Sequence, residues 1–283
     1  MTRWSTNWPA PAKLNLFLHI TGRRGDGYHL LQTVFQPLSV GDSLDFLCLD
    51  EDAVRLETPL PGVAPEQDLV VRAARRLKAE AGYPGGVAVR VHKRLPLGGG
   101  LGGGSSDAAT TLVALNHLWG LALSCDRLAA LGLELGADVP VFVRGRAAWA
   151  EGVGERLEPV SLPEPWFLVI HPGVSISTAA LFGDPQLTRN CPPITIPDFI
   201  SGKGGNVFEP LVRARYPQVA RALDWLAQAA GEARLTGTGA CVFAALKDQA
   251  GAEALLDRLP EGWKGFVARG LNRSPLLDRL AQG

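Results

Sequence analysis

The residues with the strongest chemical signal are Leu95-Pro96-Leu97-Gly98-Gly99-Gly100-Leu101-Gly102-Gly103-Gly104-Ser105-Ser106-Asp107. Without a Cβ, Gly98 to Gly100 and Gly102 to Gly104 take backbone dihedrals closed to other residues. Ser105, Ser106 and Asp107 are residue types that cap a helix start. A glycine run that opens a helix turns several N–H groups into one concavity at the positive end of the helix dipole, and that is a phosphate site. The competing reading is a glycine-serine linker. The flanks oppose it: Val87, Val89 and Val91 alternate as a strand before the run, and Ala108, Leu112, Leu115 and Trp119 recur at helical spacing after it. The candidate anion-binding residues are therefore Pro96, Leu97, Gly98, Gly99, Gly100, Leu101, Gly102, Gly103, Gly104, Ser105 and Ser106.

Neither common nucleotide fingerprint fits. Gly98, Gly100 and Gly103 satisfy the dinucleotide spacing, but the acid at the expected distance, Asp126, reads as the first turn of another helix. Gly99 to Gly104 has the Walker spacing, with Ser105 where the lysine belongs. Cationic help for a polyphosphate must then come from elsewhere, with Lys13 and Lys93 as candidates. Asp138 stands in Ala137-Asp138-Val139-Pro140, between a helix stop and an apolar run, where a loop could present a carboxylate. It also suits an ordinary turn. Lys13 with Asn15, and Tyr28 with His29, carry no role on pattern alone: the first pair reads as the solvated face of a strand, the second as packing at a strand start. Gly237-Thr238-Gly239-Ala240 reads as a hairpin turn that could also approach a phosphate.

These residues need a large scaffold, and 283 residues are enough for about two domains. The balance of 28 basic and 28 acidic residues gives no general field for nucleic acid or an anionic membrane. Arg23-Arg24 and Arg72, Arg75 and Arg76 read as solvated surface. Cys48, Cys125, Cys191 and Cys241 are scattered without metal-ligand spacing, as expected of free thiols in a reducing compartment. No run is long and apolar enough for a membrane span or a targeting segment. A cytoplasmic protein is expected.

In chain order, strands are expected at 12–20, 28–39 and 43–49, with turns at Arg23–Gly27 and Gly41-Asp42. A loop covers 58–67 and a helix 69–81. After the glycine loop and its helix, Ser124 caps a helix ended by Gly136, and Val141-Phe142-Val143 reads as a strand. Arg144-Gly145-Arg146 and Gly152 to Glu155 read as hairpin turns, and a boundary falls near 156–165. A strand at 166–171 is followed by a short helix capped at Ser177 or Thr178, an irregular stretch at 183–205, helices near 207–214 and 218–230, a hairpin around Gly237-Thr238-Gly239, a helix at 249–259 and a strand at 264–270. The order β-α-β-β-α-β is that of a ferredoxin-like unit. A last helix falls near 274–281.

Pro11-Ala12-Lys13-Leu14-Asn15-Leu16, the glycine loop and Thr236-Gly237-Thr238-Gly239-Ala240 together resemble the GHMP kinase superfamily. Gly25-Asp26-Gly27-Tyr28-His29-Leu30-Leu31, Leu135-Gly136-Ala137-Asp138-Val139-Pro140 and Pro172 to Thr178 are similar to its branch that phosphorylates a cytidyl-diphosphate sugar alcohol. The resemblance implies an α+β fold of two domains: an N-terminal ribosomal-protein-S5-like α/β domain over 1–160 that binds ATP, and a C-terminal ferredoxin-like domain over 161–283 that binds substrate. It implies ATP and Mg²⁺ as cofactors, a small-molecule substrate, and a catalytic pair on Lys13 and Asp138. A carboxylate against the acceptor hydroxyl helps as general base, and an ammonium beside the same oxygen favours its alkoxide character. Loop amides and the metal meet the charge on the transferring phosphoryl, with Ser105 or Ser106 as the hydroxyl near the metal. Lys93 and the position of Asp68 fall on the nucleotide side. An ionised aspartate accepts but cannot donate, so Asp68 offers adenine no donor. Tyr28, His29 and Phe182 would hold the cytosine, with Asn15, Thr178 and Gly239 near the rest of the substrate. A homoserine or mevalonate kinase is the alternative within the superfamily.

Overall fold

The computed structural model describes residues 3–60 and 62–282. Pro61, in the expected loop at 58–67, lies outside the described residues. The chain opens with two long antiparallel strands, β1 (Ser5–Arg23) and β2 (His29–Leu49), followed by β3 (Val54–Leu56), α1 (Leu69–Ala81), β4 (Gly86–His92), α2 (Gly103–Leu118), α3 (Cys125–Leu135), α4 (Val139–Arg144), β5 (Ala148–Glu151) and β6 (Arg156–Pro159). The order β3-β4-β2-β5-β6, with β1 also paired to β2, makes one six-stranded sheet. Then come β7 (Trp166–His171), α5 (Thr178–Gly183), α6 (Ile196–Ile200), α7 (Glu209–Arg215), α8 (Pro217–Ala230), β8 (Arg234–Leu235), β9 (Val242–Leu246), α9 (Gln249–Leu256), β10 (Lys264–Arg269) and α10 (Pro275–Ala281). The second sheet runs β10-β7-β9-β8, antiparallel throughout. Counted within that unit its strand order is 4-1-3-2, with the β-α-β-β-α-β chain order read from the sequence.

Of four apolar clusters among the described residues, a smaller one gathers Phe17, Val34, Trp149 and Leu162, and three hold these layers. One packs α1, α2, α3 and α4 on the first sheet through Val70, Leu77, Leu112, Leu131 and Phe142 against Phe35, Leu44 and Phe46. A second joins α7 and α8 to the other sheet through Leu211, Val212, Leu223 and Leu226 against Leu168 and Ile170. The third lies between the sheets, where Leu14 and Leu38 meet Leu95 and Leu101 of the glycine loop and Phe167, Cys241 and Phe243. Leu101 is fully buried there, which contributes roughly 2 kcal/mol toward fixing the loop.

Four local expectations are corrected. Gly41-Asp42 is not a turn: β2 continues through it. Gly41 is needed because a Cβ would stand 2.2 Å from Ala10 O on the neighbouring strand. Val141-Phe142-Val143 is helix, not strand; Val139 to Val143 are all buried, and an apolar run buried all round carries no period to separate the two. Gly145 is the left-handed cap of that helix rather than a hairpin turn. The irregular stretch at 183–205 contains the short helix α6, with a capping box between Thr195 and Asp198. The expectations for α1, α3, the β5–β6 hairpin and the Ser177 cap agree with the structure. The last helix, α10, docks across the first layer on β1 and α2 through buried Leu276.

Candidate active site

The glycine loop bridges β4 and α2, and its geometry depends on missing side chains. Gly98, Gly100 and Gly102 have φ of 65°, 75° and 72°, in the left-handed region. A Cβ on Gly100 would lie 2.2 Å from Thr236 O. The loop carbonyls face the protein: Gly98 O and Gly99 O accept from Ala240 N and Cys241 N at 3.3 and 3.1 Å, and Leu101 O accepts from Lys13 N at 3.0 Å. The amides of Gly103, Gly104 and Ser105 at the start of α2 have no partner within the helix and are available to an anion, whereas Ser106 N already donates to Gly102 O at 2.8 Å. Gly100→Ala is therefore expected to destabilise the fold by roughly 1–3 kcal/mol and to weaken nucleotide binding. A thermal melt with an ATP titration checks this, and an unchanged melting temperature would show that the loop does not pack as described.

Ser105 and Ser106 do not cap α2. Its cap is Gly102, which has no side chain, and both serines sit in the first turn. They differ in what they face. Ser105 lines the large cavity, whereas Ser106 is fully buried and its Oγ has no hydrogen-bond partner among the described residues. Ser105 Oγ lies beside the turn at Gly136, two residues before Asp138.

Lys13 and Asn15 are not solvated. Both are buried on β1, where β2 and the loop cover them. Lys13 Nζ donates to Asn15 Oδ1 at 2.5 Å and to Gly100 O at 3.0 Å, and lies 3.3 Å from Asp138 Oδ2. Asn15 donates through Nδ2 to Thr33 Oγ1 and through its backbone N to Thr236 Oγ1, each at 3.0 Å. Asp138 occupies the N-cap position of α4 but makes no side-chain cap bond. Its carboxylate is thus left for the cavity, with 35% of the side chain exposed against 4% for Lys13.

The cavity measures about 920 Å³ and is lined by the loop from Pro96 to Ser105, by Lys13, Asn15, Lys93 and Asp138, and by Tyr28, His29, Thr178, Phe182 and Thr238. Three expected site residues are absent from its wall. Ser106 is buried behind it. Asp68 caps α1, accepting from Val70 N at 2.8 Å. Gly239 turns inward, with its N donating to Thr236 O at 2.9 Å. Tyr28 is 63% exposed. The His29 ring packs on Phe182 with centroids 5.0 Å apart, and Thr178 Oγ1 meets Thr238 Oγ1 at 2.8 Å. Burial, then the charges of Arg189 and Arg23, hold His29 below the usual imidazole range.

Lys93 reaches the cavity already paired. Its ammonium contacts Asp42, and Asp107 Oδ2 at 2.8 Å. Asp42 also accepts from Leu95 N at 2.8 Å, which ties the strand end to β2. Burial pushes the Asp107 carboxyl up to about 7, against the pull of Lys93, and its Oδ1 has no partner among the described residues. Raising a carboxyl in the folded state adds stability below its unfolded value near 4 that is lost as pH rises through about 7. Asp107→Asn removes that loss. Its melting temperature relative to wild type is expected to be higher at pH 8 than at pH 5, by the equivalent of on the order of 2 kcal/mol. A difference independent of pH would remove Asp107 from the account.

Residues 68–146 match the N-terminal domain of the GHMP kinases, and residues 197–265 match their C-terminal domain. The 4-diphosphocytidyl-2-C-methyl-D-erythritol kinase of Nitrosococcus oceani is 59% identical over 273 residues, covering 96% of this chain and 97% of its own. The crystal structure of a 4-(cytidine 5'-diphospho)-2C-methyl-D-erythritol kinase superposes with a TM-score of 0.79 at 32% identity, over 95% of this chain and 99% of its own. The chain belongs to the 4-diphosphocytidyl-2-C-methyl-D-erythritol kinase family of GHMP kinases. The mevalonate kinase of Methanococcus jannaschii, at 17% identity and a TM-score of 0.69 over 96% of this chain and 99% of its own, shares the fold alone.

As a GHMP kinase the chain has the two-domain α+β architecture expected of that family. Several residues that line this cavity or hold its wall in place lay beyond sequence reasoning; of them Thr33 reaches the cavity itself. Thr33 and Thr236 orient Asn15, yet look like ordinary strand threonines. Asp42 was hidden by its turn-like Gly-Asp setting. Arg189 lies in a stretch with no pattern at all. Only Thr236 had a local signal, the glycine turn that follows it.

Proposed function

We propose that this GHMP kinase transfers the γ-phosphate of ATP to the C2 hydroxyl of 4-diphosphocytidyl-2-C-methyl-D-erythritol, a step of non-mevalonate isoprenoid precursor synthesis. The observation that carries the reading is the Lys13–Asp138 pair, 3.3 Å apart, beside the glycine cradle. Asp138 takes the proton of the tertiary alcohol as its oxygen attacks. Lys13, held by Asn15 and Gly100 O, stabilises the developing alkoxide without having to reorganise. The amides of the loop and of α2 hold the polyphosphate in line with that oxygen.

Mg²⁺ fits the residues present. Among the described residues no group of three or more His, Cys, Asp or Glu could hold a metal, and Mg²⁺ commonly takes one or two protein oxygens and completes its shell with phosphate and water. Ser105 would supply the hydroxyl, with the Asp138 carboxylate close by. When bound, the ion neutralises phosphate charge. The cytosine would lie between Tyr28 and Phe182 with His29 at its edge, and Asn15, Thr178 and Thr238 would face the sugar and diphosphate. A homoserine or mevalonate acceptor has no base to occupy those aromatic rings. The nucleotide falls to the part before residue 160, and the cytidyl substrate is shared between that part, through Asn15, Tyr28 and His29, and the part after it, through Thr178, Phe182 and Thr238. Among the described residues no helix is long and apolar enough to cross a membrane, and all four cysteines are free thiols. Both fit work in the cytoplasm.

A product assay tests the reading: ATP and Mg²⁺ with the cytidyl sugar alcohol, mevalonate and homoserine offered separately. Phosphorylation of the cytidyl compound alone is expected. Turnover of mevalonate or homoserine at a comparable kcat/KM would overturn it.

A further inference from the structure

Arg189, between α5 and α6, takes no part in the chemistry above, yet four of the five N–H donors of its guanidinium are engaged. Nε donates to His29 Nε2 at 3.1 Å, Nη1 to Leu187 O at 3.0 Å, and Nη2 to Phe182 O and Asp184 O at 2.9 and 2.8 Å. A guanidinium is a permanent cation that only donates. His29 Nε2 must therefore accept, so it carries no proton, and the single proton of the neutral ring resides on Nδ1. The doubly protonated ring is disfavoured for the same reason, since two donors would face one another. Nδ1 has no protein partner among the described residues, and the ring lines the cavity against Phe182. One arginine thus sets the tautomer of His29 and holds the backbone of the aromatic residue stacked on it.

We infer that Arg189 is a specificity-determining residue: by holding His29 as the Nδ1–H tautomer it makes the ring a fixed donor, matched to the unprotonated N3 of cytosine and mismatched to uracil, whose N3 carries a hydrogen. The inference rests on the cytidyl reading of the cavity. Discrimination arises because a site built around one donor leaves it unpaired, or opposed by another donor, when the wrong base enters. Arg189 acts through His29 and is a positioning residue.

Two measurements on the full chain test it. In the free protein, labelled with ¹⁵N-histidine and observed at pH 7.5, long-range ¹H–¹⁵N correlations of His29 should show an unprotonated Nε2 and a protonated Nδ1. In kinetics with the cytidine and uridine forms of the diphosphate sugar alcohol, wild type should favour cytidine by at least about 100-fold in kcat/KM. Arg189→Lys, which keeps a cationic donor, should retain most of that preference. Arg189→Met should lose at least about ten-fold of it, with the change carried by KM rather than kcat. A protonated Nε2 in wild type, or an undiminished preference in Arg189→Met, would overturn the inference. If Arg189→Met does not fold, the wild-type resonances and the lysine variant decide. Failure of wild type to turn over either nucleotide would instead sink the cytidyl reading, and the specificity claim with it, whatever the tautomer.

Discussion

Asp138→Asn is expected to lower kcat by about 10³-fold, within the range set by loss of a positioned general base, while ATP binds as in wild type. The substitution is nearly isosteric, and Asp138 makes no cap bond whose loss would disturb α4. Lys13 keeps its contacts to Asn15 and Gly100 O, so the ammonium stays in place. The proposed phosphate cradle is built by the loop and by Thr236, Ala240 and Cys241, none of which touches the Asp138 side chain among the described hydrogen bonds. What disappears is the acceptor for the alcohol proton, worth about 4 kcal/mol of barrier for a 10³-fold loss. Single-turnover phosphoryl transfer, with nucleotide affinity measured alongside, checks it. A kcat within a few-fold of wild type would remove Asp138 from the mechanism.

Lys13→Met should cost 10²–10³-fold in kcat, the scale for removing a preorganised charge from a developing oxyanion. Methionine keeps an unbranched side chain and removes the ammonium, which lies 5.5 Å from the Phe35 ring centroid. The fold should tolerate it: losing a buried cation offsets the hydrogen bonds lost at Asn15 and Gly100 O, and Asp138 is exposed enough for water to replace its partner. A melting temperature close to wild type together with the kinetic loss would separate this from unfolding. If KM rises while kcat holds, Lys13 binds substrate and transition state equally and plays no part in the chemical step.

Much of the scaffold was legible because its signals are local. The alternation of Val87, Val89 and Val91, the glycine run after it, and the Ser124 and Ser177 caps each depend on a few neighbouring residues, and the structure agrees at all of them. The β-α-β-β-α-β order was equally plain. The site was harder to read. On pattern alone Lys13 and Asn15 sit on the solvated face of a strand, because nothing near them in the chain covers that face.

What covers them comes from far away: Lys13 meets Gly100 across 87 positions, and Asn15 meets Thr236 across 221. The same distance explains the other corrections. Gly41 is small because Ala10 and Pro11 press against it, and Val139 to Val143 form a helix because layers on every side bury them. Sequence alone determined the glycine loop between a strand and a helix, the amphipathic helices and the resemblance that placed Lys13 with Asp138. The tertiary structure alone decided which serine faces the cavity, that Asp68 caps a helix, that Arg189 grips His29, and where α10 docks. Periodicity and capping are written in adjacent residues, whereas burial and the pairing of charges arise only when separate segments exclude water together.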